Sequence, residues 1–305
     1  MTIADLIASS ADALDAAGVC FGHGTSNAYD EAAWLVLWQL GYPLDSALDA
    51  DGAASGPVAN AVVDPAALNQ VQALVQRRID SRTPAAYLTG EAWLQGVPFH
   101  VDARCIVPRS LIAELLMGGA LDYWLAPDAQ RLLDLCTGGA SLAVLAAMAY
   151  PQLQIDASDI SADALAVAAL NVQRHGLQQR LRLLQGDGLA ASDGPYDMIL
   201  CNPPYVNADS MARLPREYRA EPALALAGGV DGMDFVRRLL RDVRGALTPQ
   251  AALVLEIGHE RGHFEAAFPM LDAVWLDTSA GSDQVCVVTA DALGALSRYG
   301  MPVAL

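Results

Sequence analysis

From Arg131 onward the chain alternates between short apolar runs and helical stretches, and no other feature restricts its fold as much. Residues 131–136, 154–159, 181–186, 197–201, 252–257, 273–277 and 284–289 read as strands. Residues 141–150, 162–175, 233–247 and 261–268 carry apolar side chains at helical spacing. Apolar runs separated by helices fit a mainly parallel sheet covered on both faces. Only residues 278–283 join the last two runs, too few for a parallel crossover, so these two strands should pair antiparallel. The expectation is an α/β fold with a seven-stranded, mostly parallel, doubly wound sheet. It is Rossmann-like but differs from the six-stranded dinucleotide fold at its antiparallel end.

The first 91 residues lack this pattern. Segments 4–18, 29–40 and 65–81 have helical spacing, with Asp64-Pro65 as a cap and first helical residue. Residues 52–56 read as a loop of small residues. A small helical domain is expected over 1–91, suited to substrate recognition. A connecting β-hairpin follows over 92–108, turning at Gln95-Gly96, and the doubly wound domain occupies 109–305.

The most informative tetrapeptide is Asn202-Pro203-Pro204-Tyr205, which directly follows the apolar run 196–201. Neither proline has an N–H to donate, so this strand end presents acceptors on a stiff loop beside an aromatic plane. Such a set suits a planar NH2 group whose two hydrogens must be held, as in Asn and Gln amides or the exocyclic amines of bases. A second set stands at the other strand ends. Asp134-Leu135-Cys136-Thr137-Gly138-Gly139 runs from a strand into a glycine turn, Asp159 ends the next strand, and Asp187 the third. Ligands of doubly wound sheets bind at these ends, where an acidic residue can accept from ribose hydroxyls. Three acidic strand ends and no G-x-G-x-x-G favour a neutral or cationic nucleoside over a pyrophosphate. They also weigh against a dehydrogenase.

Charge narrows the partner. Eighteen Lys and Arg face 35 Asp and Glu, a net charge of −17. Such a surface repels nucleic acid and attracts basic proteins, although acidity also serves solubility alone. The five scattered cysteines form no C-x-x-C, and several sit in apolar strands, which suggests buried thiols in a reducing cytoplasm. The longest apolar segment, 111–126, is interrupted by Glu114 and Asp122 and is too short to span a bilayer, so no membrane partner is expected.

These residues resemble the S-adenosylmethionine-dependent protein-glutamine N-methyltransferases, which methylate the side-chain nitrogen of a glutamine in a translation protein. The resemblance runs from about Pro84. Pro84-Ala85-Ala86-Tyr87-Leu88-Thr89-Gly90 is similar to the family's entry to its hairpin, and Asp134 to Gly138 to its cofactor motif. Asn202 to Tyr205 is its signature of amino-nitrogen methylation. Glu221-Pro222-Ala223-Leu224-Ala225-Leu226, with Gly229-Val230-Asp231-Gly232, resembles the segment that follows. One branch acts on peptide release factors and carries a Pro-Arg-Pro-Glu-Thr-Glu type motif. The other acts on large-subunit ribosomal protein number three, with Pro-Arg-Ser-Pro-Ile-Ala-Glu-Leu. Here Pro108-Arg109-Ser110-Leu111-Ile112-Ala113-Glu114-Leu115 differs from the second only at Leu111, which favours the ribosomal-protein branch.

The resemblance implies a class I methyltransferase fold and S-adenosylmethionine as cofactor. It implies cofactor contacts from Asp134, Cys136, Thr137, Gly138, Gly139, Ala140, Asp159, Ile160, Asp187, Gly188 and Asn202. It assigns catalysis and amide binding to Asn202, Pro203, Pro204 and Tyr205, with Arg109 and Glu221 on the substrate side and a basic ribosomal protein as partner. Two departures stand out: Ala140 where the turn usually has a third glycine, and Gly258-His259 where the branch has Gly-Asn.

Other readings meet specific obstacles. A nucleic-acid amine methyltransferase shares the tetrapeptide but calls for a basic groove. A binding module that has lost catalysis is supported only by the altered glycine turn. His259-Glu260-Arg261-Gly262-His263 spells the H-E-x-x-H of zinc hydrolases. It starts right after a strand, however, so His259 should precede the helix, and no third ligand follows. No metal is expected.

Overall fold

The computed structural model describes residues 1–48 and 58–298. The small-residue loop expected at 52–56 lies outside the described residues. The chain forms two compact units, one of Met1–Glu91 with Pro215–Ala220 and one of Ala92–Leu214 with the chain from Glu221 onward.

The first unit holds helices α1 (Ile3–Ala16), α2 (Ala28–Leu40), α3 (Pro65–Ser81) and the short α4 (Ala85–Thr89). Local chemistry explains where they begin. Thr2 and Asp5 form a reciprocal capping box, Asn27 caps α2, and Asp64 accepts from Ala66 and Ala67 ahead of Pro65. A buried ionic cluster draws in the remote segment. Arg78, fully buried, donates to Glu31 at 2.8 Å and to the Cys20 carbonyl at 3.1 Å. Glu217 lies 3.6 Å from Arg78, accepts the Cys20 N–H at 3.1 Å and pairs with Arg82 at 3.3 Å. A buried charge without partners would be costly, so this cluster fixes Pro215–Ala220 to the helices.

The second unit opens with a hairpin, β1 (Glu91–Leu94) and β2 (Val97–His100). Gln95 and Gly96 both have positive φ, the two-residue turn that matches strand twist. Then come α5 (Ile112–Met117), β3 (Arg131–Leu135), α6 (Ser141–Ala149), β4 (Gln154–Asp159), α7 (Ala162–Arg174) and β5 (Leu181–Gln185). They are followed by β6 (Tyr196–Cys201), α8 (Ala208–Arg213), α9 (Asp234–Asp242), β7 (Leu247–Glu256), α10 (Arg261–Ala267), β8 (Val274–Thr278), β9 (Gly281–Thr289) and α11 (Ala290–Arg298). The sheet has seven strands in the order β5-β4-β3-β6-β7-β9-β8. The first five are parallel, and β9 runs antiparallel to both β7 and β8. This is the expected sheet, including its antiparallel end.

Strand alternation sorts the core into two layers. Met198 and Leu200 pack with α5, α6 and α7, whereas Ile199 and Cys201 pack with α9, α10 and α11. The expected helix 233–247 is shorter than its apolar spacing suggests. It ends at Asp242, a 3-10 turn spans Val243–Ala246, and Leu247 already pairs with Tyr196 in the sheet. Gly245 disfavours further helix, and strand pairing takes over. The apolar segment 111–126 becomes α5 and a 3-10 turn at Asp122–Trp124. Among the described residues no helix is long and apolar enough to cross a membrane.

Candidate active site

The order of the sheet reverses at β3. The chain builds outward through β4 and β5, then returns to place β6 and β7 on the other side. A crevice at such a switch point is where doubly wound folds bind ligands. A cleft of about 550 Å³ lies there, within the usual range for cofactor sites.

Below its floor, the turn after β3 is wound left-handed at Cys136, Gly138 and Ala140. Asp134 holds that turn from beneath. One of its carboxylate oxygens accepts the Thr137 hydroxyl and the Ala143 N–H, while Oδ1 is buried with no hydrogen-bond partner. Burial pushes the Asp134 carboxyl up to about 7 against the pull of those two bonds, and the nearby Asp159 charge adds to the rise. Asp159 accepts the Gly138 N–H at 2.9 Å and the Ser161 N–H at 2.8 Å, joining the turn to the end of β4. Ile160, exposed beside it, lines the cleft. At the end of β5, Asp187 pairs with Arg238 at 2.9 Å, and Arg238 lies over the Phe235 ring. Gly188 has φ +56°, and a Cβ there would meet nothing within 4 Å, so the backbone borders open space.

At the end of β6, Asn202 and Pro204 line the cleft. The Asn202 side chain makes no hydrogen bond among the described residues. Pro203 is buried and Tyr205 half-buried, and neither lines the cleft. Tyr205 rests instead against Gly258, where a Cβ would come within 2.6 Å of its ring, and its hydroxyl donates to Glu256 at 3.4 Å. Burial beside the Glu256 charge raises the Tyr205 hydroxyl well above its usual range. Arg109 lines the cleft and is held by a two-pronged bond to Glu221, at 2.6 and 2.7 Å. Glu221 is buried behind it and also accepts the Val107 N–H.

Most of the residues chosen from sequence therefore converge on one cleft: Asp134, Cys136, Thr137, Gly138, Asp159, Ile160, Asp187, Gly188, Asn202, Pro204 and Arg109 all line it. Gly139 and Ala140 do not. Gly139 is covered by Cys105 and Asn171. Ala140 is fully buried in the core and keeps, at φ +63°, the left-handed backbone that a glycine would adopt there. The substitution thus sits behind the turn.

Sequence reasoning passed over Asn171, Phe235, Arg238 and Glu256. Asn171 was signalled: it falls on the apolar face of α7 with Ala164, Val167, Ala168 and Val172, and a polar residue on a buried stripe needs partners. The H-E-x-x-H match has a structural use. Glu260 precedes α10, accepts from Asn207 at 2.6 Å and meets His263 at 2.5 Å. Among the described residues no group of three or more His, Cys, Asp or Glu gathers as metal ligands.

Residues 119–216 match the family model of the methyltransferase small domain. The chain is 54% identical over 294 residues to the ribosomal protein uL3 glutamine methyltransferase of Bordetella pertussis, covering 96% of each. The chain belongs to the uL3 glutamine methyltransferase family. A member from Burkholderia pseudomallei is 47% identical over 305 residues, covering 97% of each. These relatives carry the branch name to which residues 108–115 pointed, not that of the release-factor branch. The fold is that of class I methyltransferases. It resembles the hMettl16 catalytic domain, solved in complex with MAT2A 3'UTR hairpin 6, with TM-score 0.51 and 12% identity over 74% of this chain and 81% of that one. That likeness concerns the fold alone.

Proposed function

We propose that this protein transfers a methyl group from S-adenosylmethionine to the side-chain amide nitrogen of a glutamine in ribosomal protein uL3. The observation that carries this reading is the unbonded Asn202 side chain at the end of β6, beside a cleft with three acidic strand ends. The names of the relatives supply the substrate.

The cleft suits that cofactor. Asp159 and Asp187 offer acceptors and negative charge to a cationic nucleoside, Gly188 leaves space for it, and the buried Asp134 Oδ1 lacks a partner. In this reading Asp159 holds the ribose hydroxyls, and Ile160, Asp187 and Gly188 border the adenine. The Cys136–Gly138 turn receives the methionine part, with Asp134 behind it; Gly139 and Ala140 support that turn. When bound, S-adenosylmethionine supplies an electrophilic methyl group on a sulfonium centre.

The chain's own residues deal with the nucleophile. An amide nitrogen is weak because its lone pair is delocalised into the carbonyl. The Asn202 Oδ1 and the Pro203 carbonyl accept its two N–H groups, turning the lone pair toward the methyl. As nitrogen gains positive charge these bonds strengthen, which lowers the barrier more than it tightens binding. The proton leaves afterwards, so no general base is needed before transfer. Tyr205 and Pro204 stiffen this loop. Arg109, held by Glu221, forms the substrate side of the cleft.

The net charge of −17 suits a basic ribosomal protein and disfavours direct nucleic acid binding. The helical domain over 1–91 takes part in recognising that protein, and the hairpin of β1 and β2 with the segment to residue 108 leads from it to the catalytic domain at 109–305. The setting is cytoplasmic, consistent with five free thiols. The test is incubation with methyl-labelled S-adenosylmethionine and purified uL3 or, separately, a release factor. Label on a uL3 glutamine alone is expected. Label on the release factor alone, or on neither despite cofactor binding, would overturn the substrate.

A further inference from the structure

Glu256 is the last residue of β7, and its strand neighbour Leu255 pairs with Cys201, so it stands level with the start of the Asn202 loop. It is 4% exposed, yet it carries a carboxylate directly after five apolar residues, Ala251, Ala252, Leu253, Val254 and Leu255. That carboxylate is shared between two segments that border the cleft, the one around Ser110 and the Asn202 loop. Oε2 accepts the Ser110 hydroxyl at 2.5 Å and the Leu111 N–H at 2.9 Å. Oε1 faces the Tyr205 hydroxyl at 3.4 Å. Ser110 in turn accepts the Ile112 N–H at 3.2 Å. Two residues later the same strand end forms the seat of Tyr205, through the close approach of Gly258 to its ring.

A buried carboxylate at a strand end is costly unless it is bonded, and these donors are what it bonds. An apolar residue would have filled the space without that requirement. The donors come from two separate segments: Ser110 and Leu111 beside Arg109, and Tyr205 next to Asn202, Pro203 and Pro204. We propose that Glu256 is a positioning residue for methyl transfer, clamping Tyr205 to the Ser110 segment and so holding the amide acceptors of the Asn202 loop in register with Arg109. It touches neither cofactor nor substrate. The inference rests on the glutamine-transfer reading for its kinetic consequence but not for its structural one.

The test combines kinetics with amide exchange. Glu256→Gln keeps the shape and removes one of the two acceptors. With uL3 as substrate, kcat should fall ~10–100-fold, because a small misplacement of reacting groups is costly, while the cofactor Kd stays within about threefold. Amide exchange at Asn202, Tyr205 and Val206 should quicken while exchange in β3 and β4 is unchanged. In a Ser110→Ala/Tyr205→Phe background, Glu256→Gln should add no more than about twofold, since its route is already cut. A folded Glu256→Gln protein with wild-type kcat, or losses that multiply in that background, would overturn the proposal. If Glu256→Gln does not fold, Ser110→Ala and Tyr205→Phe carry the test through the same exchange and kcat measurements, and wild-type values in both would overturn it. Failure of the wild-type protein to label uL3 would instead defeat the substrate reading; unchanged loop exchange in the variants would still decide against Glu256.

Discussion

The Asn171 side-chain amide donates to the Gly139 carbonyl at 2.8 Å, tying the last turn of α7 to the turn that borders the cleft. The same side chain exchanges two bonds with the His100 backbone at the end of β2, accepting its N–H at 2.7 Å and donating to its carbonyl at 3.0 Å. One fully buried residue therefore braces helix, hairpin and glycine turn together. Asn171→Leu fits the apolar stripe of α7 but takes away the partner of the part-buried His100 N–H and of the His100 and Gly139 carbonyls. It should destabilise the fold by about 1–3 kcal/mol and weaken cofactor binding. Urea unfolding and calorimetry check both; unaltered stability would show that water replaces the lost bonds.

Removing the central acceptor separates binding from chemistry. Asn202→Ala should reduce methyl transfer by ~10²–10³, the usual cost of losing one transition-state hydrogen bond, with cofactor affinity retained. Single-turnover transfer and calorimetry on the same preparation measure the two terms, and near-normal turnover would remove Asn202 from the mechanism.

The burial of Asp134 has a signature in pH. Its carboxyl rises from 3.8 to about 7 on folding. Between those values the folded protein holds a proton that the unfolded chain has released, so this contribution is present at low pH and lost as pH rises toward and through 7. Its upper bound is roughly 4 kcal/mol, from about 1.4 kcal/mol per pH unit. Asp134→Asn should therefore flatten the decline in melting temperature between pH 5 and 8. For the wild-type protein, affinity for the cationic cofactor should increase over the same range. Parallel melting curves for the two proteins would contradict the shift.

Gly258 has φ +54° and a Cβ position 2.6 Å from the Tyr205 ring. Gly258→Ala should strain the backbone and push that ring aside, costing about 1–3 kcal/mol of stability. Transfer should suffer while affinity for the cofactor, which the proposed site places at the ends of β3 to β5, remains. A variant with wild-type kcat would mean that the Tyr205 seat tolerates displacement.

Charge should govern encounter with substrate. With −17 on this chain, raising salt from 50 to 300 mM should increase KM for uL3 by roughly 3–10-fold and leave kcat nearly unchanged, because steering between opposite charges is screened. Initial rates at several salt concentrations decide it; a flat KM would assign the acidity to solubility.

What was legible in the sequence was local. Asp64-Pro65 announces the start of α3 because a side-chain acceptor and a fixed φ act within three residues. The alternation Met198, Ile199, Leu200, Cys201 declares a strand buried on both faces, and the short link before β9 requires antiparallel pairing. The place of Asn202 beside the cleft could be read as well, because it directly follows the end of a strand. Neighbouring motif residues could not be placed so well: Gly139, Ala140 and Tyr205 belong to the right loops yet face away from the cleft, since direction changes at every residue of a turn.

The sequence by itself therefore determined the elements, their alternation into a doubly wound sheet, and the loops that border the cleft. Tertiary structure alone decided the bracing of those loops. Tyr205 meets Glu256 across 51 residues, His100 meets Asn171 across 71, and Cys20 meets Glu217 across 197. Capping and turn geometry act within a few residues. A buried carboxylate or amide takes whichever donors the closed sheet brings beside it, and those partners exist only once the strands have assembled.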